Sequence, residues 1–346
     1  MRPLRFGLIG YGLWGKYHAR AIVNAPGAEL AAIACATGDT AAQAQEDFPN
    51  LPVYVGYPML LAQRAELALD AVDIVVPNHL HAQIGVAALE AGMNVLLEKP
   101  MAASIAECDA LVAAARRNRG VLTIGHEFRL SGQWSEMRRL IDAGEIGAPR
   151  YANVSLFRFP YRPGSSAWRY HRERVGSWIL EEPVHFFDML MWCFERHGDP
   201  VSVHAVGNAR SGTPGMYENF STVLRWPGEL YATITQTLSG FEHHHVMEVT
   251  GTEGSLRTWW SGAMDRATEP EFELKVQRRG ETSPVIVSNL GDSGEVFELR
   301  EELRQVVTAF RERRPLVSPE EARKRIVVCL EAERSVRENR VVPLQF

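Results

Sequence analysis

Three glycines near the start of this 346-residue chain have the spacing to hold a phosphate. Gly10-Tyr11-Gly12-Leu13-Trp14-Gly15 follows a short apolar run at residues 6–9 and opens helix-forming sequence. In that context Gly10 permits a tight turn, Gly12 lets backbone approach a pyrophosphate, and Gly15 lets helix and strand pack closely. The helix N-terminus adds partial positive charge. Tyr11, Leu13 and Trp14, between the glycines, would lie along the same dinucleotide. An NAD site usually ends its second strand in Asp or Glu, about 20 residues further on. Here that strand ends in Cys35-Ala36-Thr37, which would meet the ribose; Asp39 comes slightly late, and no Arg or Lys stands nearby for a 2′-phosphate. Without the acid, the repulsion that excludes NADP is gone, so the sequence leans towards NADP or towards dual use with NAD.

A second signal is the choice of basic residue. The chain has 33 Arg and only four Lys, at 16, 99, 275 and 324. Arg keeps its proton and binds through a planar fork, whereas a buried Lys can lose its proton near neutral pH. Each Lys in such a chain asks for a reason. Lys99 stands in Glu98-Lys99-Pro100, directly after an apolar run, and Lys16 stands just past the glycine loop, within reach of phosphate. Further on, Glu181 and His185 are four residues apart, which at the first turn of a helix puts both on one side.

The stretch Asp73-Ile74-Val75-Val76-Pro77-Asn78-His79-Leu80-His81 is followed by Ala91-Gly92-Met93-Asn94-Val95-Leu96-Leu97-Glu98-Lys99-Pro100. With the glycine loop, Gly125 and Arg129 in a G-x-x-x-R, Trp168-Arg169 and Gly251-Thr252-Glu253-Gly254, all in that order, the whole chain resembles the Gfo/Idh/MocA family of nicotinamide-dependent sugar and polyol oxidoreductases. The resemblance implies that Lys99 lies beside the nicotinamide and the substrate hydroxyl. It also implies that Pro77, Asn78, His81 and Glu98 belong to the cofactor site and that the Lys99–Pro100 peptide is cis. The family's second signature is an acid, three residues and a His after a glycine-rich lead. It falls on Glu181 and His185 within Gly176-Ser177-Trp178-Ile179-Leu180-Glu181-Glu182-Pro183-Val184-His185. Three positions depart from it: Glu181 stands where Asp is usual, Pro183 replaces a Gly, and Trp178 replaces a small residue. Trp178 would narrow the pocket or offer a stacking face to a sugar ring.

The implied chemistry is oxidation of a secondary alcohol, or its reverse. His185 would take the hydroxyl proton, Lys99 would stabilise the developing alkoxide, and Glu181 would hold a neighbouring hydroxyl or orient His185. Two other functions compete. One is transient oxidation of a glycoside that makes elimination possible; the other is a non-catalytic, dinucleotide-binding regulator.

Other residues carry two roles each. Glu182 is a helix cap or a substrate contact. Trp168 and Arg169 suit a polyol, although Trp168 is equally a core residue. His126 and Arg129, just after the last strand of the first domain, are candidates for substrate contact. Tyr161-Arg162-Pro163-Gly164 reads as a loop that closes over substrate. His243-His244-His245 offers two ligands on one strand face, but no third follows at ligand spacing; a solvated or interface strand is expected, and no metal. Cys193 reads as core and residues 311–314 as a solvated helix end.

Alternating elements must position these groups. Apolar runs at 6–9, 30–35, 73–76, 94–97 and 121–124 suit strands buried on both faces. Helical patterns separate them; one stops at Gly92, and another opens with the capping box Ser104-Ile105-Ala106-Glu107. Residues 1–124 should therefore form an α/β Rossmann-type domain, a doubly wound parallel sheet. Beyond it come a helix at 133–143, strand patterns at 151–159, 201–206, 220–226, 231–238, 246–250, 256–260, 272–276 and 285–287, and a helix at 184–194 among them. Two closing helices follow, the last opened by Ser318-Pro319-Glu320-Glu321. Residues 125–346 should form an α+β domain on an open, mostly antiparallel sheet that binds substrate and builds a homo-oligomer, a dimer or tetramer.

Composition narrows the partners. At about 100–200 residues per domain the length fits two. A net charge of −5 argues against nucleic acid, and 46% hydrophobic with 23% charged residues is globular. No apolar run reaches the length of about 18 that a membrane span needs, and the start lacks a signal-peptide pattern. Cys35, Cys108, Cys193 and Cys329 are too widely spaced for a disulfide framework or zinc ribbon and fit a reducing cytoplasm. The expected partner is a small sugar or polyol.

Overall fold

Each apolar run expected in the first 125 residues forms a strand in the computed structural model, which describes residues 1–158, 163–209, 213, 215–240, 242–264 and 266–346. The order is β1 (Leu4–Ile9), α1 (Leu13–Asn24), β2 (Ala28–Cys35), α2 (Gly38–Asp47), β3 (Val53–Val55), α3 (Tyr57–Ala62), β4 (Ala71–Ile74), α4 (His81–Glu90), β5 (Asn94–Glu98), α5 (Ile105–Arg117) and β6 (Leu122–Gly125). The strands pair in parallel in the order β3-β2-β1-β4-β5-β6. This is the doubly wound sheet, whose strand order reverses between β1 and β4. The edge strand β3 is absent from the sequence expectation: three residues are too short for a periodic signal.

The remaining elements are α6 (Gly132–Asp142), β7 (Pro149–Arg158), α7 (Arg172–Val175), α8 (Trp178–Glu181), α9 (Pro183–Cys193), β8 (Ser202–Ala209), β9 (Tyr217–Arg225), β10 (Tyr231–Thr237), β11 (His243–Gly251), β12 (Gly254–Gly262), β13 (Glu271–Arg278), β14 (Val285–Ile286), α10 (Glu295–Glu312), α11 (Pro319–Glu338) and β15 (Val342–Pro343). Nine strands make one sheet in the order β14-β13-β12-β11-β7-β10-β9-β8-β15, antiparallel except where β7 meets β10. A turn at Pro227-Gly228-Glu229 joins β9 to β10, with Gly228 at φ +82°. Burial alternates along β7, β10 and β11, so Val154, Leu156 and Arg158 of β7 share the inner face with Ile234 and Gln236 of β10 and His243 and His245 of β11.

The chain divides into two units. The first comprises Met1–His126, Glu173–Gly176 and Leu299–Arg323; the second comprises Glu127–Arg172, Ser177–Glu298 and Lys324–Phe346. A single border after residue 124 thus becomes a discontinuous one. The reason is the apolar stripe of α10: Leu299, Leu303, Val306, Val307 and Phe310 share a core with Phe6, Leu8, Ile22, Leu30 and Ile33, and the Phe310 ring stacks on Phe6 at 6.1 Å.

Candidate active site

In the first unit, two of the three loop glycines are bare for the sake of the protein's own backbone. Gly10 has φ +107°, and a Cβ on it would lie 2.0 Å from the Val75 carbonyl oxygen; a Cβ on Gly15 would lie 2.2 Å from that of Gly10. Gly12 differs. A Cβ there would meet nothing within 4 Å, and Gly12 is the N-cap of α1 without a side-chain capping bond. The first turn of α1 therefore presents uncapped N–H groups beside open space, the arrangement that receives a pyrophosphate. These residues fit a dinucleotide.

The neighbours divide by role. Leu13 is exposed at the first turn. Tyr11 is a core residue whose hydroxyl donates to Asp47 Oδ2 at 2.7 Å; burial and that bond push its pKa upwards. Lys16 pairs with Asp47 at 3.3 Å. At the end of β2, Cys35 is buried while Ala36 and Thr37 are exposed, and Thr37 caps α2 in a reciprocal bond with Thr40. Asp39 is exposed in the first turn of α2.

Glu98 closes β5, Lys99 follows it directly, and the Lys99–Pro100 peptide is cis. His18, fully buried on α1, sits between two carboxylates: Nδ1 is 2.8 Å from Asp73 Oδ2 and Nε2 is 3.0 Å from Glu98 Oε1. The Trp14 indole N–H donates to Glu98 Oε1 at 3.1 Å. Burial opposes a charge on His18, but Asp73 and Glu98 outweigh it and raise its pKa well above the usual value. Burial alone would raise the Glu98 pKa; bonding to His18 lowers it instead, so an imidazolium holds Glu98 ionised. The buried His81 ring lies 2.6 Å from the Pro100 carbonyl oxygen through Nδ1 and 2.8 Å from that of Val76 through Nε2, tying the loop after β4 to the end of β5. Asn78, which follows Pro77 in a short 3-10 turn, donates to the Val175 carbonyl at 3.0 Å.

In the second unit, two carboxylates are held by arginines. Arg158 Nη1 donates to Glu182 Oε2 at 2.7 Å, and Arg169 Nε donates to Glu181 Oε1 at 2.8 Å. The Arg169 guanidinium also lies 4.5 Å over the Trp168 ring. His185, in the first turn of α9, is 3% exposed and stacks on Phe128 at 4.4 Å and 18°. Glu181 and His185 do not share one helix, as their spacing suggested. Glu181 ends α8, Glu182 breaks the run at φ −120°, ψ −59°, and Pro183 starts α9. Proline lacks the N–H that would continue the helix and disfavours helical backbone at the residue before it.

Three further expectations shift. Trp178 is 1% exposed with its N–H donated to the Arg169 carbonyl at 2.9 Å, so it supports Arg169 from the core and offers no stacking face. Arg129 grips Asp188 with two nitrogens, at 2.8 and 2.5 Å, and Arg325 adds a bond of 2.8 Å to the same carboxylate; its geometry favours a structural role over substrate contact. His243 and His245 are each 4% exposed, on the inner sheet face, rather than solvated, and His244 stacks on Phe157 at 5.2 Å. Among the described residues no group of three or more His, Cys, Asp or Glu gathers as a metal site, and no helix is long and apolar enough to cross a membrane. His126 is buried at the end of the first unit. Tyr161 and Arg162 lie outside the described residues. Cys193 is buried and its thiol is pushed up to about 12, as a core residue should be. Residues 311–314 are exposed as expected.

Sequence reasoning missed His18, Arg158 and Asp188. The signals were present: His18 follows Gly15 by one helical turn, and Asp73 interrupts an otherwise apolar strand.

Comparison with known proteins matches this division. Residues 4–126 match the oxidoreductase family with the NAD-binding Rossmann fold, and residues 134–257 match the GFO/IDH/MocA C-terminal domain. The chain belongs to the GFO/IDH/MocA family of NAD(P)-dependent oxidoreductases. Among its relatives, the D-xylose 1-dehydrogenase [NADP(+)] of Haloarcula marismortui is 26% identical over 313 residues, covering 86% of this chain and 82% of that protein. The 1,5-anhydro-D-fructose reductase of Ensifer adhaerens is 30% identical over 261 residues, covering 73% and 74%. The aldose-aldose oxidoreductase of Caulobacter crescentus, solved with glycerol, shares the fold with a TM-score of 0.85 at 22% identity, over 99% of this chain and 100% of that one.

Proposed function

We propose that this chain interconverts a secondary hydroxyl and a ketone on an uncharged sugar, inositol or sugar derivative, using NADP or both NADP and NAD. The observation that carries the proposal is the open cradle at Gly12 after β1, with Lys99 directly after β5, two strands along the same sheet. The names of the relatives, a xylose dehydrogenase and an anhydrofructose reductase, support the substrate class. So do the Arg158–Glu182 and Arg169–Glu181 pairs, in each of which a glutamate matches the arginine charge.

Gly10, Gly12 and the first turn of α1 would hold the pyrophosphate, and Ala36 and Thr37 the ribose. When bound, the nicotinamide supplies the hydride acceptor or donor. His185 accepts the hydroxyl proton, held in place by its stack on Phe128. Lys99 stabilises negative charge on the substrate oxygen. Arg169, held by Glu181 and lying over Trp168, would face neighbouring hydroxyls, and Glu182 holds Arg158. Half-buried Tyr151, Ser155 and Phe157 of β7, with Thr233 and Thr235 of β10, form the outer sheet face on which a second copy would pack; light scattering that returned a clean monomer would exclude this.

The test is a panel of polyols and sugars assayed by nicotinamide absorbance with each cofactor. Turnover of at least one neutral substrate is expected, with kcat/KM for NADP equal to or above that for NAD. Cofactor binding without turnover of any of them would overturn the assignment, and oxidised cofactor trapped without net redox change would replace it with the transient route.

A further inference from the structure

We propose that a small cavity in the second unit is a built site for one water molecule, and that this water fixes the aromatic column on which His185 rests. The positional part depends on the reading of His185 as proton acceptor; the site itself does not.

The column is continuous. Phe128 stacks on His185 at 4.4 Å, His245 lies 5.9 Å from Phe128, and Trp260 stacks on His245 at 5.0 Å and 6°. The last contact is set by backbone register, because β11 and β12 place His245 directly opposite Trp260. Phe128, His245 and Trp260 of the column all line a cavity of about 10 Å³, together with Trp134, His243 and Glu298. One water needs about 10–15 Å³ and two to four polar partners.

Three buried side-chain atoms of those lining residues have no protein hydrogen-bond partner among the described residues: Trp260 Nε1, His245 Nδ1 and Glu298 Oε2. Their residues are 2%, 4% and 2% exposed. Leaving one such atom unsatisfied is costly, and three around one cavity call for a common partner. Water supplies it, accepting from the Trp260 N–H and donating to His245 Nδ1 and Glu298 Oε2. The carboxyl cannot turn away to solvent, since its other oxygen accepts from the Gly294 N–H at 3.1 Å. Among the described residues no metal-ligating group of three gathers here, so a cation does not compete. Once hydrated, His245 is held at both its ring face and its edge, and Phe128 has a fixed surface behind it.

The experiment pairs high-resolution crystal structures with steady-state kinetics on the full-length protein, wild type and Trp260→Phe, which keeps the ring and removes the donor. The wild type should show one water bonded to the three named atoms, and Trp260→Phe should lose it. In that variant kcat should fall by about 10-fold, with KM changed far less and the proton-acceptor limb of the kcat/KM pH profile displaced. An empty or differently filled wild-type cavity overturns the site; an unchanged kcat and pH profile in Trp260→Phe overturns the positional role. If Trp260→Phe does not fold, His245→Phe removes the acceptor while keeping the ring, and is judged by the same outcomes. Turnover retained by His185→Ala would defeat the assignment of His185 alone and leave the hydration site standing.

Discussion

The two units hold their buried carboxylates by different means. In the first, Asp73 and Glu98 close on an imidazole; in the second, Glu181, Glu182 and Asp188 close on guanidinium groups. A guanidinium keeps its charge at every working pH, so these three clamps do not depend on a proton on the basic partner. The imidazole of His18 is charged only because two acids surround it, so the first unit's arrangement depends on a proton. Glu98, next to Lys99, is thus tuned by a proton, while Glu181 and Glu182 are clamped.

The largest test of this contrast is catalytic. Lys99→Ala and His185→Ala should each lower kcat/KM by about 10²–10⁴, while cofactor affinity by fluorescence titration stays close to wild type. Near wild-type turnover in either would remove that residue from the chemistry. Next comes the clamp: Asp188→Ala leaves Arg129 and Arg325 buried without their shared anion and should cost about 3–5 kcal/mol in urea unfolding. That loss should be the same across the neutral range, since neither arginine titrates. The tuned cluster should behave otherwise. The folded pKa of His18 is raised, so its contribution is complete below the unfolded value and fades as pH rises through the folded one. Glu98 is shifted down, so its contribution appears above the unfolded carboxylate value. His18→Gln should therefore destabilise most between about pH 4.5 and 6.5 and progressively less in alkali; a flat difference across that range would end the contrast. The smallest effect is expected at the half-open pair: Arg169→Lys keeps the charge but loses the fork and the stack on Trp168, costing about 1 kcal/mol or less in thermal unfolding.

How much was legible in the sequence follows from how local each feature is. The glycine loop was, because three residues in a row of six determine a turn, and the alternation of apolar runs gave both sheets. The break at Glu182 was signalled by Pro183 but hidden by the four-residue spacing of Glu181 and His185. The Arg129–Asp188–Arg325 clamp was not legible, since its members are separated by 59 and 137 residues and each looks like an ordinary helix charge. The burial of His243 and His245 depends on which face of β11 turns inward, and polar side chains carry no period that says so.

Phe6 and Phe310 stack in one core although 304 residues separate them. A chain emerging from the ribosome in order therefore makes its first sheet long before it makes the helix that seals it. Until α10 arrives, α1 alone leaves the cover over the apolar surface of β1 and β2 incomplete. The unit that begins the protein is not complete until residue 323, and truncation anywhere before that point should yield an aggregating fragment in place of a smaller nucleotide-binding domain.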